Sequence, residues 1–214
     1  MNYFYQNELF SGISNQEFDR MMACFAPTEM QFKSGEVVCD YSAFNDNIGI
    51  VQGGQVQVIR IDGDGNRTIL ENVGNNEVFG KPISFCEMKD DYIEVICKVD
   101  CTVLFIGYQH IIKRCEKACV HHSLFVENML QLMSNRAIKL SMRVEILSQR
   151  SIRSKLYAYF NSRTQTKTAN GVINFSYSDL ADYLCVDRSA MMRELKKMRD
   201  DDTVKIDGKN FALN

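Results

Sequence analysis

The chain has 214 residues and a formal net charge of −2, with 45% hydrophobic and 24% charged residues, which suits one large or two modest globular domains and excludes a disordered chain. No apolar run is long enough to span a membrane, and the N-terminal residues lack the basic and apolar regions of a secretory signal. Eight cysteines without such a signal indicate reduced thiols and a cytoplasmic location rather than a disulfide framework.

The first predicted element is a helix over Asn15–Phe25. Ser14 and Glu17 have the spacing of a capping box, and Pro27 ends the helical pattern. The apolar residues that would pack against the rest of the fold recur at helical intervals, at Phe18, Met21, Met22 and Phe25.

From Met30 to about Tyr108 the apolar pattern has a period of two, which predicts strands at residues 32–38, 48–51, 56–61, 68–70, 93–99 and 102–106. We expect Gly53-Gly54 and residues 62–66 to separate these strands as turns. Residues 62–66 also carry carboxylates at alternate positions, but they lack the glutamate at the twelfth position of a calcium loop, which favours a hairpin turn. Several short strands in succession predict an antiparallel sandwich or roll.

Residues 119–147 predict one long helix without glycine or proline. An apolar repeat at alternating intervals of four and three runs along it, at Val126, Leu130, Met133, Ala137, Leu140, Val144 and Leu147. Such a repeat needs a partner, and we expect the same helix of a second subunit in a parallel coiled coil. The flanks would carry Arg136, Lys139, Arg143 and Glu145. Packing on the chain's own sheet is the alternative for a second apolar face, formed by Leu124, Leu132, Ile138, Met142 and Ile146, and we expect both faces to be used.

A hinge at residues 148–151, a helix at 152–160 and a polar loop at 164–174 precede two further predicted helices. Ser176 and Asp179 form a capping-box-like start of the first, whose apolar face has Leu180, Ala181, Tyr183 and Leu184. Residues 185–187 form a tight turn, and Asp187 is suited to cap the second helix. That helix buries Met191, Leu195 and Met198. Its other face has the residues that a helix in a DNA major groove requires, namely Arg188, Ser189, Met192, Arg193 and Lys196.

A short hairpin about an Asp207-Gly208 turn completes the chain. Helix, turn, helix and wing are typical of a DNA-binding module, although an ordinary helical hairpin closing a small domain is the alternative. The charge distribution favours DNA, because residues 150–214 have 12 Lys and Arg against 8 Asp and Glu, whereas the rest of the chain is acidic.

Three segments resemble a known family: Asp187-Arg188-Ser189-x-x-x-Arg193-x-Leu195-Lys196-x-Met198, Glu77-Val78-Phe79-Gly80, and Gly53-Gly54 with residues 56–61. With this order of parts, nearly the whole chain resembles the Crp-Fnr family of bacterial transcription regulators. The resemblance implies an α+β fold with three parts. These are an antiparallel β-roll (double-stranded β-helix) sensor domain at 1–118, a dimerisation helix at 119–147 and a C-terminal winged helix-turn-helix at 148–214.

The resemblance also implies a homodimer that binds a near-palindromic operator in double-stranded DNA, with RNA polymerase as a candidate partner and no membrane contact. Arg188 and Arg193 match two arginines of the family's reading helix, whereas Ser189 replaces a glutamate, so the family's usual operator sequence is not expected. Base contacts are expected from Arg188, Ser189 and Arg193. Phosphate contacts are expected from Ser176, Ser178, Lys196 and Lys209.

Family members that bind cyclic AMP follow Phe-Gly with a glutamate and later present Arg-Ser to the cyclic phosphate. Here Lys81-Pro82 follows Gly80, and Asp91-Tyr92 occupies the Arg-Ser position. A carboxylate there would repel the phosphate, so we expect a small effector other than a cyclic nucleotide. The expected pocket residues are Gly80, Lys81, Asp91, Tyr92 and Arg136. Lys81 and Arg136 either face one anion-binding pocket or are two solvated surface cations.

Metals give two further alternatives. Cys115, Cys119 and His122 share one helical face, which suits a zinc or haem site in a redox-sensing regulator, but cysteines packed against a sheet have the same spacing. Cys97 and Cys101 are expected in the core. A cupin-like metalloenzyme would need histidines on neighbouring strands, whereas all three histidines follow the strands, and no catalytic motif is present. We therefore predict no cofactor and no enzymatic activity.

Overall fold

The computed structural model describes residues 7–41, 47–80, 92–112, 120–164 and 170–214. The chain divides into two compact units, residues 1–135 and 136–214, and each is described by itself. None of the helices in the described ranges combines the length and the apolar character that a membrane span requires.

The N-terminal unit begins with a short 3-10 turn, Glu8–Phe10, and helix α1, Asn15–Phe25. The predicted capping box is present, because the Ser14 backbone N–H donates to Glu17 Oε2 at 3.0 Å. Six antiparallel strands follow within the described residues: β1 (Thr28–Phe32), β2 (Val37–Asp40), β3 (Asn47–Ile61), β4 (Arg67–Val73), β5 (Val78–Phe79) and β6 (Tyr92–Gly107). β6 pairs with β1, β2 and β3, and β3 also pairs with β4 and β5. The predicted antiparallel β-roll is therefore confirmed.

The two longest strands differ from the prediction. Gly53-Gly54 does not separate two strands; it lies inside β3, and the predicted strands at 93–99 and 102–106 are one strand, β6. The β3–β6 register shifts at Gly53 and Gln55, so the paired strands bend there without ending. Gly54 has φ +81°, and a Cβ on it would lie 2.2 Å from the Asp100 carbonyl oxygen, which explains the glycine. The predicted run 32–38 is instead divided, since β1 ends at residue 32 and β2 begins at 37.

The predicted hairpin turn between β3 and β4 is confirmed. One oxygen of Asp62, Oδ1, accepts hydrogen bonds from the N–H groups of Asp64 and Asn66, at 3.0 and 2.8 Å. The other, Oδ2, accepts from Asn66 Nδ2 at 3.1 Å, so both oxygens are used inside the turn. These hydrogen bonds lower the pKa of Asp62 below its usual value.

Helix α2, Tyr108–Ile112, precedes the long helix α3, Val120–Leu147, which agrees with the predicted range. Five residues of the predicted dimer stripe are exposed: Val126, Leu130, Ala137, Leu140 and Val144. The other two, Met133 and Leu147, are half-buried, and Met133 packs on the N-terminal core. On the second apolar face Leu124 and Leu132 pack on that core and Ile146 is buried. Ile138 and Met142 are exposed. The predicted packing of this face is therefore seen over only part of its length.

The C-terminal unit contains α4 (Ile152–Arg163), β7 (Asn170–Val172), α5 (Tyr177–Leu184), α6 (Arg188–Asp200), β8 (Val204–Asp207) and β9 (Asn210–Leu213). The core between these elements has the buried side chains of Leu156, Tyr159, Phe160, Phe175, Leu180, Leu184, Met191, Leu195, Met198 and Phe211. Burial raises the pKa of Tyr159 to about 12. Two predictions need correction: α4 extends three residues past 160, and part of the predicted loop 164–174 is strand β7, which pairs with β9.

Candidate nucleic-acid interface

Helix α5 begins at a serine cap, as its sequence predicted. Ser176 Oγ accepts from the Asp179 N–H at 3.2 Å and lies 2.7 Å from Asp179 Oδ2, to which its hydroxyl donates. The acidic side chain thus binds the cap hydroxyl, whereas in an ordinary capping box it accepts from the cap backbone. Because the hydroxyl proton of Ser176 is already donated, its predicted phosphate contact would need the serine backbone. Ser178, the other predicted phosphate contact on this helix, is exposed.

The turn between α5 and α6 has the predicted three residues. Cys185 adopts a left-handed conformation, with φ 52°, and ends α5 by donating its N–H to the last turn. Asp187 Oδ1 then accepts from the Ala190 N–H at 2.8 Å and caps the start of α6. The turn therefore fixes α6 relative to α5 through backbone geometry and one side-chain cap.

Helix α6 presents one buried and one exposed face. Met191, Leu195 and Met198 are at most 2% exposed, and they pack into the core of the C-terminal unit. The opposite face is exposed at Arg188, Ser189, Arg193 and Lys196, and Met192 is half-buried. The structure thus brings all three predicted base-contacting residues together on one accessible helix face.

Arg153, at the start of α4, holds the other end of α6, and sequence reasoning missed it. Its guanidinium lies 2.6 Å from Asp201 Oδ2, 2.7 Å from Thr203 Oγ1 and 3.5 Å from Glu194 Oε1. The three partners come from α6, its C-cap and the approach to β8. A single arginine in a helical pattern predicts only a surface cation. Its role in holding the end of α6 is therefore visible only from the tertiary contacts.

Among the described residues, the wing sheet has three strands, one more than predicted. β8 and β9 are joined by the two residues Gly208 and Lys209, and β7 pairs with the outer side of β9. Gly171 lies in β7, and only glycine fits there, because a Cβ would lie 2.5 Å from the Phe211 ring and 2.6 Å from the Arg163 carbonyl oxygen. Lys209 is exposed at the tip of the wing, where its predicted phosphate contact requires it.

Arg143, predicted on the flank of a coiled coil, contacts α5 of its own chain. It is only 8% exposed, and its guanidinium packs against Tyr183 of α5. Of the other predicted flanking residues, Lys139 and Glu145 are exposed and Arg136 is half-buried.

The predicted effector residues are only partly described. The Gly80 N–H donates to the Tyr41 hydroxyl at 3.1 Å, and a Cβ on Gly80 would lie 2.6 Å from the Asn47 carbonyl oxygen. Lys81, Asp91 and the side chain of Tyr92 lie outside the described residues. A surface depression of about 200 Å³ in the N-terminal unit is lined by other residues, namely Gln31, Phe32, Lys33, Asp100, Cys101 and Thr102.

The five cysteines that the structure describes divide into buried and exposed thiols. Cys97 and Cys101 lie in the core of the roll, as predicted, together with Cys39, whereas Cys24 and Cys185 are exposed. Cys115, Cys119 and the side chain of His122 lie outside the described residues. Within the described part of the chain, no group of three His, Cys, Asp or Glu side chains is arranged to hold a metal ion.

Comparison with known proteins agrees with this architecture. Residues 29–118 match the family model of the cyclic nucleotide-binding domain. A structure of a CooA variant from Carboxydothermus hydrogenoformans superimposes with a TM-score of 0.73 at 13% identity, over 97% of this chain and 91% of that chain. The chain has the fold of the Crp/Fnr transcription regulators. It contains a cyclic nucleotide-binding-type domain followed by a winged helix-turn-helix.

Two further solved structures with the Crp/Fnr fold are similar to the chain at comparable TM-scores and sequence identities. The c-di-GMP-responsive global regulator CLP of Xanthomonas campestris has a TM-score of 0.66 and 16% identity, over 91% of this chain and 98% of that chain. FixK2 from Bradyrhizobium japonicum has a TM-score of 0.62 and 15% identity, over 88% and 92% of the two chains. No curated protein sequence is significantly similar to the chain.

Proposed function

We propose that the protein is a cytoplasmic, homodimeric transcription regulator that binds a specific double-stranded DNA sequence through α6. The single observation that carries this proposal is the two-faced character of α6. Met191, Leu195 and Met198 anchor the helix in the core, and this leaves Arg188 and Arg193 on the exposed face. A rigid helix that presents two arginines to solvent suits the depth and the donor pattern of a major groove.

The residues on the exposed face of α6 and in the wing have different proposed roles. An arginine can donate two hydrogen bonds to O6 and N7 of guanine, which discriminates against other bases by about 1 to 3 kcal/mol. Ser189 stands where the family has a glutamate, so a contact to the N4 amino group of cytosine is lost and a different operator is expected. Lys196 and the wing residue Lys209 would bind phosphates, which position the module without reading the sequence.

The exposed apolar stripe of α3 supports a dimer. Leu130 is 64% exposed and Val144 is 67% exposed, although both are large apolar side chains on a regular helix. Along one helix such a stripe is typical of a coiled-coil seam, and the same stripe on a second copy is its natural partner. Two α6 helices related by a two-fold axis would bind half-sites about 34 Å apart.

An effector bound to the roll would shift the population between two arrangements of the DNA-binding modules, provided that it prefers one of them. Lys81 and Asp91 differ from the residues with which the family binds cyclic AMP, so we propose an effector other than a cyclic nucleotide. Gly80, Lys81, Asp91, Tyr92 and Arg136 remain the candidate pocket residues.

Selection of bound fragments from a random DNA pool tests the proposed function directly. The expected result is an enriched sequence with two inverted half-sites, whose affinity is at least about tenfold above that for random DNA. Affinity that is equal for selected and random fragments would contradict sequence-specific binding. Footprints with and without small molecules that copurify with the protein would then test control by an effector, and cyclic AMP is expected to leave the footprint unchanged.

A further inference from the structure

Arg143, in the C-terminal half of α3, reaches the last turn of α5. Its guanidinium carbon lies 4.7 Å from the centroid of the Tyr183 ring, and its Nη2 lies 3.5 Å from the Tyr183 carbonyl oxygen. The ring face attracts a cation, and the carbonyl groups at a helix C-terminus do the same through the helix dipole. The contact therefore joins α3 directly to α5, the first helix of the helix-turn-helix.

Tyr183 is held firmly by its other neighbours. Its ring centroid lies 4.8 Å from that of Phe175 and 6.1 Å from that of Tyr159, and Tyr159 is fully buried. Tyr183 is half-buried, and a turn of its ring away from Arg143 would break its contacts with Phe175 and Tyr159. A displacement of α3 at Arg143 is therefore transmitted to the end of α5.

A second cation binds the same end of α5. Lys155 Nζ, from α4, donates to the Leu184 carbonyl oxygen at 3.1 Å. The two contacts differ in origin, since α4 belongs to the DNA-binding module, whereas Arg143 belongs to the helix that carries the proposed dimer seam. Only three residues separate the end of α5 from Arg188, the first residue of α6.

We propose that Arg143 is a positioning residue that fixes the direction of α6 relative to α3 and thereby sets the spacing between the two DNA half-sites that the dimer accepts. This inference rests on the proposed function, namely a dimer formed through α3 that binds DNA through α6. In such a dimer the two reading helices have a fixed separation only if each is held rigidly to its own α3. One added base pair rotates the second half-site by about 35°, so a rigid connection rejects it.

The test compares the spacer preference of the unsubstituted protein with that of the Arg143→Gln variant. The DNA library contains the two selected half-sites separated by spacers up to about three base pairs longer or shorter than the optimum. The substitution is expected to lower the ratio of affinities for the optimal and the adjacent spacers at least about tenfold. The affinity for an isolated half-site is expected to change less than about twofold, because the base-contacting side chains are unaltered.

Four further variants separate positioning from a general loss of stability. Lys155→Gln removes the other cation at the same helix end and is expected to keep the spacer preference. Tyr183→Phe keeps the ring and the carbonyl and is also expected to keep the spacer preference. Arg143→Lys should retain part of the preference that Arg143→Gln loses. Tyr183→Leu removes the ring instead of the cation and is expected to broaden the spacing, which provides a second measurement if Arg143→Gln does not fold.

The outcomes distinguish this inference from the function on which it rests. Unchanged spacer preference in both Arg143→Gln and Tyr183→Leu would overturn the positioning role alone. Equal losses for isolated and paired half-sites would also overturn it, because they would indicate a purely structural residue. Failure of the unsubstituted protein to prefer two half-sites over one would overturn the proposed function itself, and the positioning role with it.

Discussion

Arg153 on α4 donates to Asp201, the C-cap of α6, with 2.6 Å between Nη2 and Oδ2. Asp201 also accepts at Oδ1 from the Thr203 hydroxyl at 2.6 Å. The hydrogen bond from Thr203, and after it that from Arg153, lowers the pKa of Asp201 below its usual value of 3.8. The end of α6 is thus fixed by a carboxylate that is more acidic in the folded protein than in the unfolded chain.

Asp201→Asn should therefore reduce stability in a pH-dependent way. A carboxylate whose pKa is lowered by folding contributes stability above its unfolded pKa and loses that contribution as the pH falls through its folded pKa. We expect Asp201→Asn to lower the thermal unfolding temperature at pH 7, and this difference should shrink as the pH falls below 3.8. Asp200→Asn, one residue earlier, controls for net charge. The same pH dependence in both variants would exclude the proposed role of Asp201.

Arg193→Ala should reduce specific DNA binding. Loss of a bidentate base contact is expected to cost about 1 to 3 kcal/mol on the selected sequence and to relax the preference at one base pair. Lys197→Ala is a control on the same helix. Lys197 Nζ lies 3.6 Å from Glu194 Oε2, so this substitution is expected to leave the base preference unchanged. Electrophoretic mobility shifts on selected and random DNA would measure both effects, and equal losses on the two DNAs would contradict base reading by Arg193.

Lys209→Ala should weaken binding to all sequences alike. A phosphate contact at the tip of the wing releases counterions, so its removal is expected to reduce the slope of log affinity against log salt by about 1. Binding measured over a series of salt concentrations checks this expectation. If the loss occurs only on the selected sequence, Lys209 reads bases and its assignment to a phosphate is wrong.

Val144→Asp should dissociate the proposed dimer. Full burial of a valine stabilises an interface by about 1.5 to 3 kcal/mol per side chain, and both copies of the seam lose it, so the dissociation constant should rise at least about a hundredfold. Sedimentation at several concentrations measures the change. Gln131→Asp places the same charge on α3 outside the apolar stripe and should leave the mass unchanged. A Val144→Asp variant that remains dimeric would exclude the stripe as the seam.

Gly54→Ala should destabilise the roll, whereas Gly53→Ala should not. A Cβ on Gly54 would lie 2.2 Å from a backbone oxygen, and its φ of +81° disfavours any other residue, so we expect a loss of about 2 to 4 kcal/mol. Nothing lies within 4 Å of a Cβ on Gly53, and its substitution should change stability by less than about 1 kcal/mol. Urea unfolding of both variants gives the comparison, and equal losses would contradict a bend that depends on Gly54.

Thiol reactivity should follow burial. Burial raises the pKa of Cys39 and that of Cys101 to about 12, which keeps both thiols protonated at pH 8. We expect brief alkylation to modify the exposed Cys24 and Cys185, whereas Cys39, Cys97 and Cys101 react only after unfolding. Peptide mass spectrometry identifies the modified residues. Early modification of Cys101 would contradict its placement in the core.

Local signals in the sequence were sufficient for α5 and α6, the two helices of the helix-turn-helix. The caps at Ser176 and Asp187 depend on residues only three positions apart, and the buried face of α6 follows from helical periodicity. Such features are decided within one or two turns of chain. The predicted bounds of α1, α3 and α5 and the predicted start of α6 agree with the structure to within about one residue.

Contacts between distant segments were not predictable in this way. The sequence Gly53-Gly54 predicted a turn. The actual reason for Gly54 is its close approach to Asp100, which exists only once β3 and β6 are paired. β7 was missed for a similar reason, since three residues form a strand only when β9 lies beside them.

The amino-acid sequence by itself determined the order of the parts, the buried faces of α1 and α6 and the two arginines on the exposed face of α6, because these depend on local periodicity and capping. Only the tertiary structure decided that Arg143 and Arg153 are structural contacts instead of solvated cations. Their acceptors lie 40 to 50 residues away along the chain. Whether a long side chain meets such partners depends on how the helices pack, which no local pattern of residues specifies.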